Sequence, residues 1–219
     1  MYRYLFFDLD GTLTDSKEGL FNSIRYALEK LGGPCLDDTT LLKFIGPPLV
    51  DSYMEHCGFT MEQALEAEKA FQERYIPVGI YENTPVEGGA ELFARLKEKG
   101  YRLAVASSKP ETMCREICER FGFAPYLDEI SGSPLLGNKV TKADVIRNAM
   151  DRLGLTEKDK KEILMVGDRK FDVLGAAECG IGCLGVEFFG YAEEGELERA
   201  GAVGVVKTVE ELEDYILNH

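Results

Sequence analysis

The sequence predicts an α/β protein: a Rossmann-like parallel sheet core with helices on both faces, plus a small all-α domain inserted after the first strand. Three observations predict it. The apolar run Leu5, Phe6, Phe7 breaks at Asp8, as a strand does on reaching the edge of a sheet. From Pro85 onward, short apolar segments alternate with helical patterns at the spacing of βαβ units. Between these two regions, the stretch from Lys17 to about Ile80 shows helical periodicity and no convincing strand. The expected domains are therefore residues 1–16 with 84–219 as the core, and 17–83 as the insertion.

The elements follow in order. Leu20, Ile24, Ala27, Leu28 and Leu31 repeat at helical spacing until Gly32, Gly33 and Pro34 stop them. Leu41, Leu42, Phe44 and Ile45 form a second apolar group, ended by Gly46, Pro47 and Pro48. Helices are expected over Leu49–Cys57 and Thr60–Tyr75, with hinge strands near Asp15–Lys17 and Ile80–Pro85. In the core, helices are expected over Gly88–Lys99, Glu111–Phe121, Val140–Leu153 and Phe171–Glu178. Strands are expected over Tyr101–Ala106, Glu129–Ser131 and Ile163–Val166, with further apolar segments around Cys183 and Val205. A closing helix is expected over Val209–Leu217.

Composition narrows the classes of function. A chain of 219 residues with 45% hydrophobic residues is long enough to bury a core of about 150 residues beside an insertion. The formal charge of -14 argues against a nucleic-acid backbone or an anionic membrane surface as partner. No apolar run approaches the roughly 20 residues of a membrane span, and Met1 leads directly into a strand, so a cytoplasmic protein is expected. Cys114 and Cys118, like Cys179 and Cys183, lack the Cys-x-x-Cys spacing of zinc or redox motifs and read as buried thiols. With His56 and His219 the only histidines, proton transfer near neutral pH falls to carboxylates or lysine. The sequence carries no signature of oligomeric state.

Candidate chemistry lies where predicted strands end. Asp8 and Asp10 follow the first strand; side chains alternate along a strand, so the two carboxylates are expected on one side, with Gly11 allowing a tight turn. Such a pair suits a cation and a phosphoryl group. Ser107, Ser108, Lys109 and Pro110 end the next strand and open a helix, a ready anion site. Asp168 and Asp172, in Gly-Asp-Arg-Lys-Phe-Asp, supply further oxygens for a hard divalent cation. Lys139 and Lys142 flank Thr141 and offer an ammonium to neutralise a bound phosphoryl group. Taken alone, Asp172 and Asp15 read equally well as helix caps, and Lys170 as a surface charge.

Read in order, DLDGTLTDS, ASSKP, KADVI and GDRKFD resemble the motifs of the haloacid dehalogenase superfamily of phosphatases, over nearly the whole chain. The helical insertion also resembles the cap that many members carry after the first motif. The resemblance implies Mg²⁺ as cofactor and makes Asp8 the nucleophile that becomes an aspartyl phosphate. Asp10 would be the acid and base, its backbone carbonyl also reaching the metal. It assigns Ser107 and Ser108 to the transferring phosphoryl oxygens and Asp168 to the metal, with Asp172 a ligand or an orienter of one. Gly11, Thr12, Gly46 and Pro47 would contact the substrate. The lysine of the family matches Lys142, which heads KADVI, better than Lys139.

Asp10 separates the chain from the halide-removing branch, which has no alkoxide to protonate. A β-phosphoglucomutase-like phosphomutase shares the core motifs but has a cap histidine near the hinge, where Phe21 and Asn22 stand here. A non-catalytic phosphate-binding protein would be expected to lack one of these groups. The expected function is therefore hydrolysis of a small soluble phosphomonoester, of the phosphoglycolate or nucleoside monophosphate type. The loop Phe44–Leu49 is expected to face the site.

Overall fold

The computed structural model describes residues 1–134 and 140–219. The chain begins with strand β1 (Tyr4–Phe7) and the two-residue β2 (Thr14–Asp15). It then runs through helices α1 (Lys17–Leu31), α2 (Asp38–Leu42), α3 (Leu49–Cys57) and α4 (Met61–Tyr75) to β3 (Thr84–Pro85). Helices and strands then alternate. They are α5 (Gly89–Glu98), β4 (Arg102–Pro110), α6 (Glu111–Arg120), β5 (Glu129–Ser133), α7 (Lys142–Arg152) and β6 (Ile163–Gly167). The series ends with α8 (Lys170–Cys179), β7 (Gly182–Val186), α9 (Glu196–Ala200), β8 (Gly204–Val206) and α10 (Val209–Asn218). Contacts divide the chain into two units, Met1–Thr14 with Pro85–His219, and Asp15–Thr84.

In the first unit six strands pair in the order β5-β4-β1-β6-β7-β8, and every pairing is parallel. β1 is central, with Phe6 beside Ala104 on one side and Met165 on the other. A central parallel strand is covered on both faces, which is why Leu5, Phe6 and Phe7 are all apolar and fully buried. Phe6 joins a cluster with Ala143, Ile146 and Ala149 of α7 and Val173 and Ala176 of α8. Phe7 points the other way, its ring 4.8 Å from that of Phe93 on α5. Burying each ring contributes about 1.5–3 kcal/mol, so the alternation fixes which helices lie on which face.

The second unit is helical, as its periodicity predicts. α1 and α3 both pack on α4, around buried Ile24, Ala27, Leu28, Ala64, Ala67 and Phe71. α4 starts with a capping box: the Gln63 amide donates to Thr60 Oγ1 at 3.3 Å, and the Thr60 amide to Gln63 Oε1 at 2.9 Å. Arg74, in the last turn of α4, donates to both Glu82 oxygens at 2.8 Å.

Three local expectations are corrected. β1 stops at Phe7, so Asp8 and Asp10 lie past its end, before a turn in which Leu9 O accepts from the amides of Leu13 at 2.9 Å and Thr14 at 3.0 Å. The alternation expected to relate Asp8 and Asp10 therefore ends before them. β4 runs on to Pro110 rather than ending at Ala106, but its register with β5 shifts between these two residues. Ser107, Ser108 and Lys109 thus occupy an irregular stretch of the kind that re-aims side chains. The crossing strands are shorter than expected: Asp15 Oδ1 accepts from the Lys17 amide at 3.1 Å and starts α1, while Gly79–Tyr81 forms a 3-10 turn. No helix among the described residues is long and apolar enough to cross a membrane. Cys114, Cys118, Cys179 and Cys183 are buried free thiols.

Candidate active site

The order of the sheet makes the site. From β1 the chain winds out to β4 and β5, then returns to the other side of β1 for β6, β7 and β8. At the carboxyl ends of β1, β4 and β6 the direction of winding reverses, and at such a switch point the loops part and leave a crevice. Asp8 follows β1, Ser107 lies late in β4 and Asp168 follows β6. Asp172 is carried in on the first turn of α8, and Lys142 on the first residue of α7.

Asp8, Asp168 and Asp172 each offer a carboxylate oxygen within 4.8 Å of the others, and all are buried. Burial, followed by the Asp172 and Asp8 charges, pushes the Asp168 carboxyl well above its ordinary range. Burial also raises Asp8, against the opposing pull of Lys142. The Lys142 ammonium lies 2.7 Å from Asp8 Oδ1 and 2.9 Å from Asp172 Oδ1, and donates to Ala106 O at 3.1 Å. Burial alone would lower its pKa, but the Asp172 and Asp8 carboxylates outweigh that and hold it charged. Three carboxylates against one ammonium still leave negative charge in a buried crevice, which a cation would neutralise.

Other side chains fix the carboxylates. Thr12 Oγ1, fully buried, donates to Asp168 Oδ1 at 3.1 Å, so this hydroxyl is turned to the acid. Asp172 Oδ2 accepts from the Arg169 amide at 3.0 Å, so Asp172 both caps α8 and reaches the site. Ser107 is buried and its hydroxyl helps to draw the Asp8 carboxyl down against the burial that raises it, and Ser108 is half-buried next to it in the chain. Gly11 has φ +85°, and a Cβ there would stand 2.1 Å from Asp168 Oδ2, so the turn requires glycine. Gly175 lets α8 approach α7, since its Cβ would stand 2.8 Å from Lys142 Cβ.

The residue that sequence reasoning missed is Lys109. Its Nζ donates to Asp10 Oδ2 at 2.7 Å. The Ser-Ser-Lys-Pro string contained the signal, a lysine next to the serines, but nothing local tied it to Asp10. Gly46 and Pro47 lie in the second unit, between α2 and α3, with Gly46 at φ +108°. Lys139 lies outside the described residues.

The donor set fits a hard divalent cation, being made of oxygens alone. Asp168 Oδ2 is buried with no hydrogen-bond partner among the described residues, as suits a ligand atom of such a cation. Asp8, Asp168 and Asp172 would hold it, with Lys142 in contact with Asp8 and Asp172.

The sequence profile of the haloacid dehalogenase-like hydrolases matches residues 5–186. The chain belongs to the haloacid dehalogenase-like hydrolases. Among the relatives of this hydrolase, a 5'-nucleotidase of Pseudomonas aeruginosa is 41% identical over 90% of this chain and 87% of its own. The tyrosine-protein kinase PtkA of Mycobacterium tuberculosis is 36% identical over 95% of this chain and 70% of its own. The crystal structure of a predicted phosphatase from Clostridium acetobutylicum superposes with a TM-score of 0.93 at 41% identity, covering all of both chains. Family, relatives and the acidic crevice together make this hydrolase a phosphoric monoester hydrolase.

Proposed function

We propose that the chain is a Mg²⁺-dependent phosphatase acting on small phosphomonoesters through a phosphorylated Asp8, with nucleoside monophosphates as the favoured substrates. The observation that carries this is the buried trio Asp8, Asp168 and Asp172 with Lys142 in contact with two of its members. The nucleotidase relative supports the choice of ester over phosphoglycolate.

In this mechanism Asp8 attacks phosphorus and the bond from phosphorus to the ester oxygen breaks. Asp10 delivers a proton to that leaving oxygen, oriented by Lys109. Water then attacks the phosphorus of the acyl phosphate, Asp10 takes its proton, and inorganic phosphate and the Asp8 carboxylate are released. Lys142 offsets the repulsion between Asp8 and the incoming phosphoryl group, and Ser107 steers Asp8 or a phosphoryl oxygen. A Mg²⁺ held by Asp8, Asp168 and Asp172 would supply Lewis-acid neutralisation of the transferring group.

The second unit serves as a cap in this reading, with Gly46 and Pro47 on a loop that chooses the leaving group and excludes water. The enzyme works in the cytoplasm on a diffusible ester, with neither nucleic acid nor membrane as partner.

A Mg²⁺-supplemented panel of phosphate esters, read by inorganic phosphate and ranked by kcat/KM, tests the proposal. Nucleoside monophosphates should lead, and Asp8→Asn should abolish release. Isomerised sugar phosphate would indicate a phosphomutase. Transfer from ATP to a tyrosine acceptor without phosphate release would contradict hydrolysis.

A further inference from the structure

Arg169 and Glu196 form an ion pair that is buried on both sides: Nε lies 2.9 Å from Oε1, with side chains 9% and 5% exposed. Arg169 is the residue after Asp168 and sits on the turn that also leads to Asp172. Glu196, the first residue of α9, grips that turn twice. Its Oε1 accepts from Arg169 Nε and also from the Lys170 amide at 2.9 Å, while its Oε2 accepts from the Glu193 amide at 3.3 Å. The Arg169 amide in turn donates to Asp172 Oδ2 at 3.0 Å. One carboxylate therefore fixes residues 169 and 170, which lie between two acids of the trio.

The same loop also walls the first turn. A Cβ on Gly11 would stand 2.7 Å from Tyr191 Cδ2, and Tyr191, which precedes α9, is buried. Stability alone gives little reason to keep such a pair, because an apolar pair of similar volume is often as stable or more so once desolvation is counted. Its position between Asp168 and Asp172 gives a better one.

We propose that the Arg169–Glu196 pair is a positioning device for the divalent cation, presetting the spacing of Asp168 and Asp172 so that no ordering is needed when the ion binds. The inference rests on the reading that these acids hold a divalent cation. Partners that orient ligands act on metal affinity by about 10–100-fold.

The test is calorimetric titration of metal-free protein with MgCl₂, together with melting temperature in chelator, for the wild type, Glu196→Gln, and the double variant Arg169→Met with Glu196→Leu. The double variant should melt near the wild type in chelator and bind Mg²⁺ about 10–100-fold more weakly. Glu196→Gln keeps an acceptor for the Lys170 amide, so it should lose less, and it decides the matter if the double variant does not fold. A variant that binds Mg²⁺ with wild-type affinity, whether or not its melting point falls, would overturn the proposal while leaving the cation site intact. A wild type that takes up no Mg²⁺ would overturn both.

Discussion

Lys109 and Asp10 stand 99 positions apart in the chain, yet the lysine Nζ lies 2.7 Å from Asp10 Oδ2, with side chains 5% and 16% exposed. They meet because β4 pairs in register with β1 as far as Phe7 and Val105, so the residues that follow the paired stretch converge. The ammonium holds one oxygen of the proposed acid and leaves the other to face its task. Lys109→Met should therefore lower kcat about 10–100-fold, part of what acid–base catalysis contributes, with KM nearly unchanged. Steady-state kinetics on a nucleoside monophosphate checks this. A rise in KM at constant kcat would mean that Lys109 binds substrate instead.

Asp8 and Asp168 make the metal-free protein less stable as pH rises above the ordinary carboxylate range. Both carboxyls are raised in the folded state, chiefly by burial, so the fold binds their protons more tightly than the unfolded chain does. Stability is therefore full below the unfolded carboxylate value of about 4 and is lost as pH rises through the raised folded values. In chelator, the melting temperature should fall over that window, Mg²⁺ should restore it, and Asp168→Asn should raise it at neutral pH while abolishing the Mg²⁺ response. Thermal melts across pH with and without Mg²⁺ check this; coincident curves for wild type and Asp168→Asn in chelator would refute it.

Gly11→Ala should cost more than stability. The left-handed φ of +85° costs a non-glycine residue about 1–2 kcal/mol, and the added Cβ would collide with Asp168 Oδ2 at 2.1 Å. Displacement of that oxygen by about 1 Å should reduce kcat/KM about 100-fold or more. Magnesium titration and kinetics on the folded variant are the check; wild-type affinity would show that the turn tolerates a side chain.

Asp128 behaves in the opposite sense. Burial alone would raise it, but Lys97 Nζ at 2.7 Å and the Leu103 amide at 2.8 Å hold its carboxyl below the ordinary range. It contributes stability above the unfolded value of about 4, lost as pH falls through the lower folded value. Asp128→Asn should cost about 1.5–3 kcal/mol at neutral pH, and less in acid, by urea denaturation.

The parallel core was legible because each strand leaves a local mark. Leu5–Phe7 and Ile163–Val166 are apolar runs that end at carboxylates, and the sheet places them side by side with Asp8 and Asp168 at the same edge. Lys142 was legible from the KADVI string, and it lies against Asp8. Contacts between remote positions were not legible. Arg169 and Glu196 are 27 residues apart and joined by the loop into α9, a helix of five residues that is too short to show a period. The hydroxyl of Thr12 gave no sign that it would serve Asp168. The alternation expected of Asp8 and Asp10 failed because β1 ends at Phe7, before them.

The central claim is that Asp8 carries the phosphoryl group. Its most direct test is acid quenching of the enzyme during turnover of a nucleoside monophosphate with Mg²⁺, followed by borohydride reduction and peptide mass mapping. An acyl phosphate on Asp8 should appear as homoserine at position 8, and only when substrate and Mg²⁺ are both present. A quenched enzyme that turns over substrate with Asp8 unmodified, or with the mark on another carboxylate, would contradict the account.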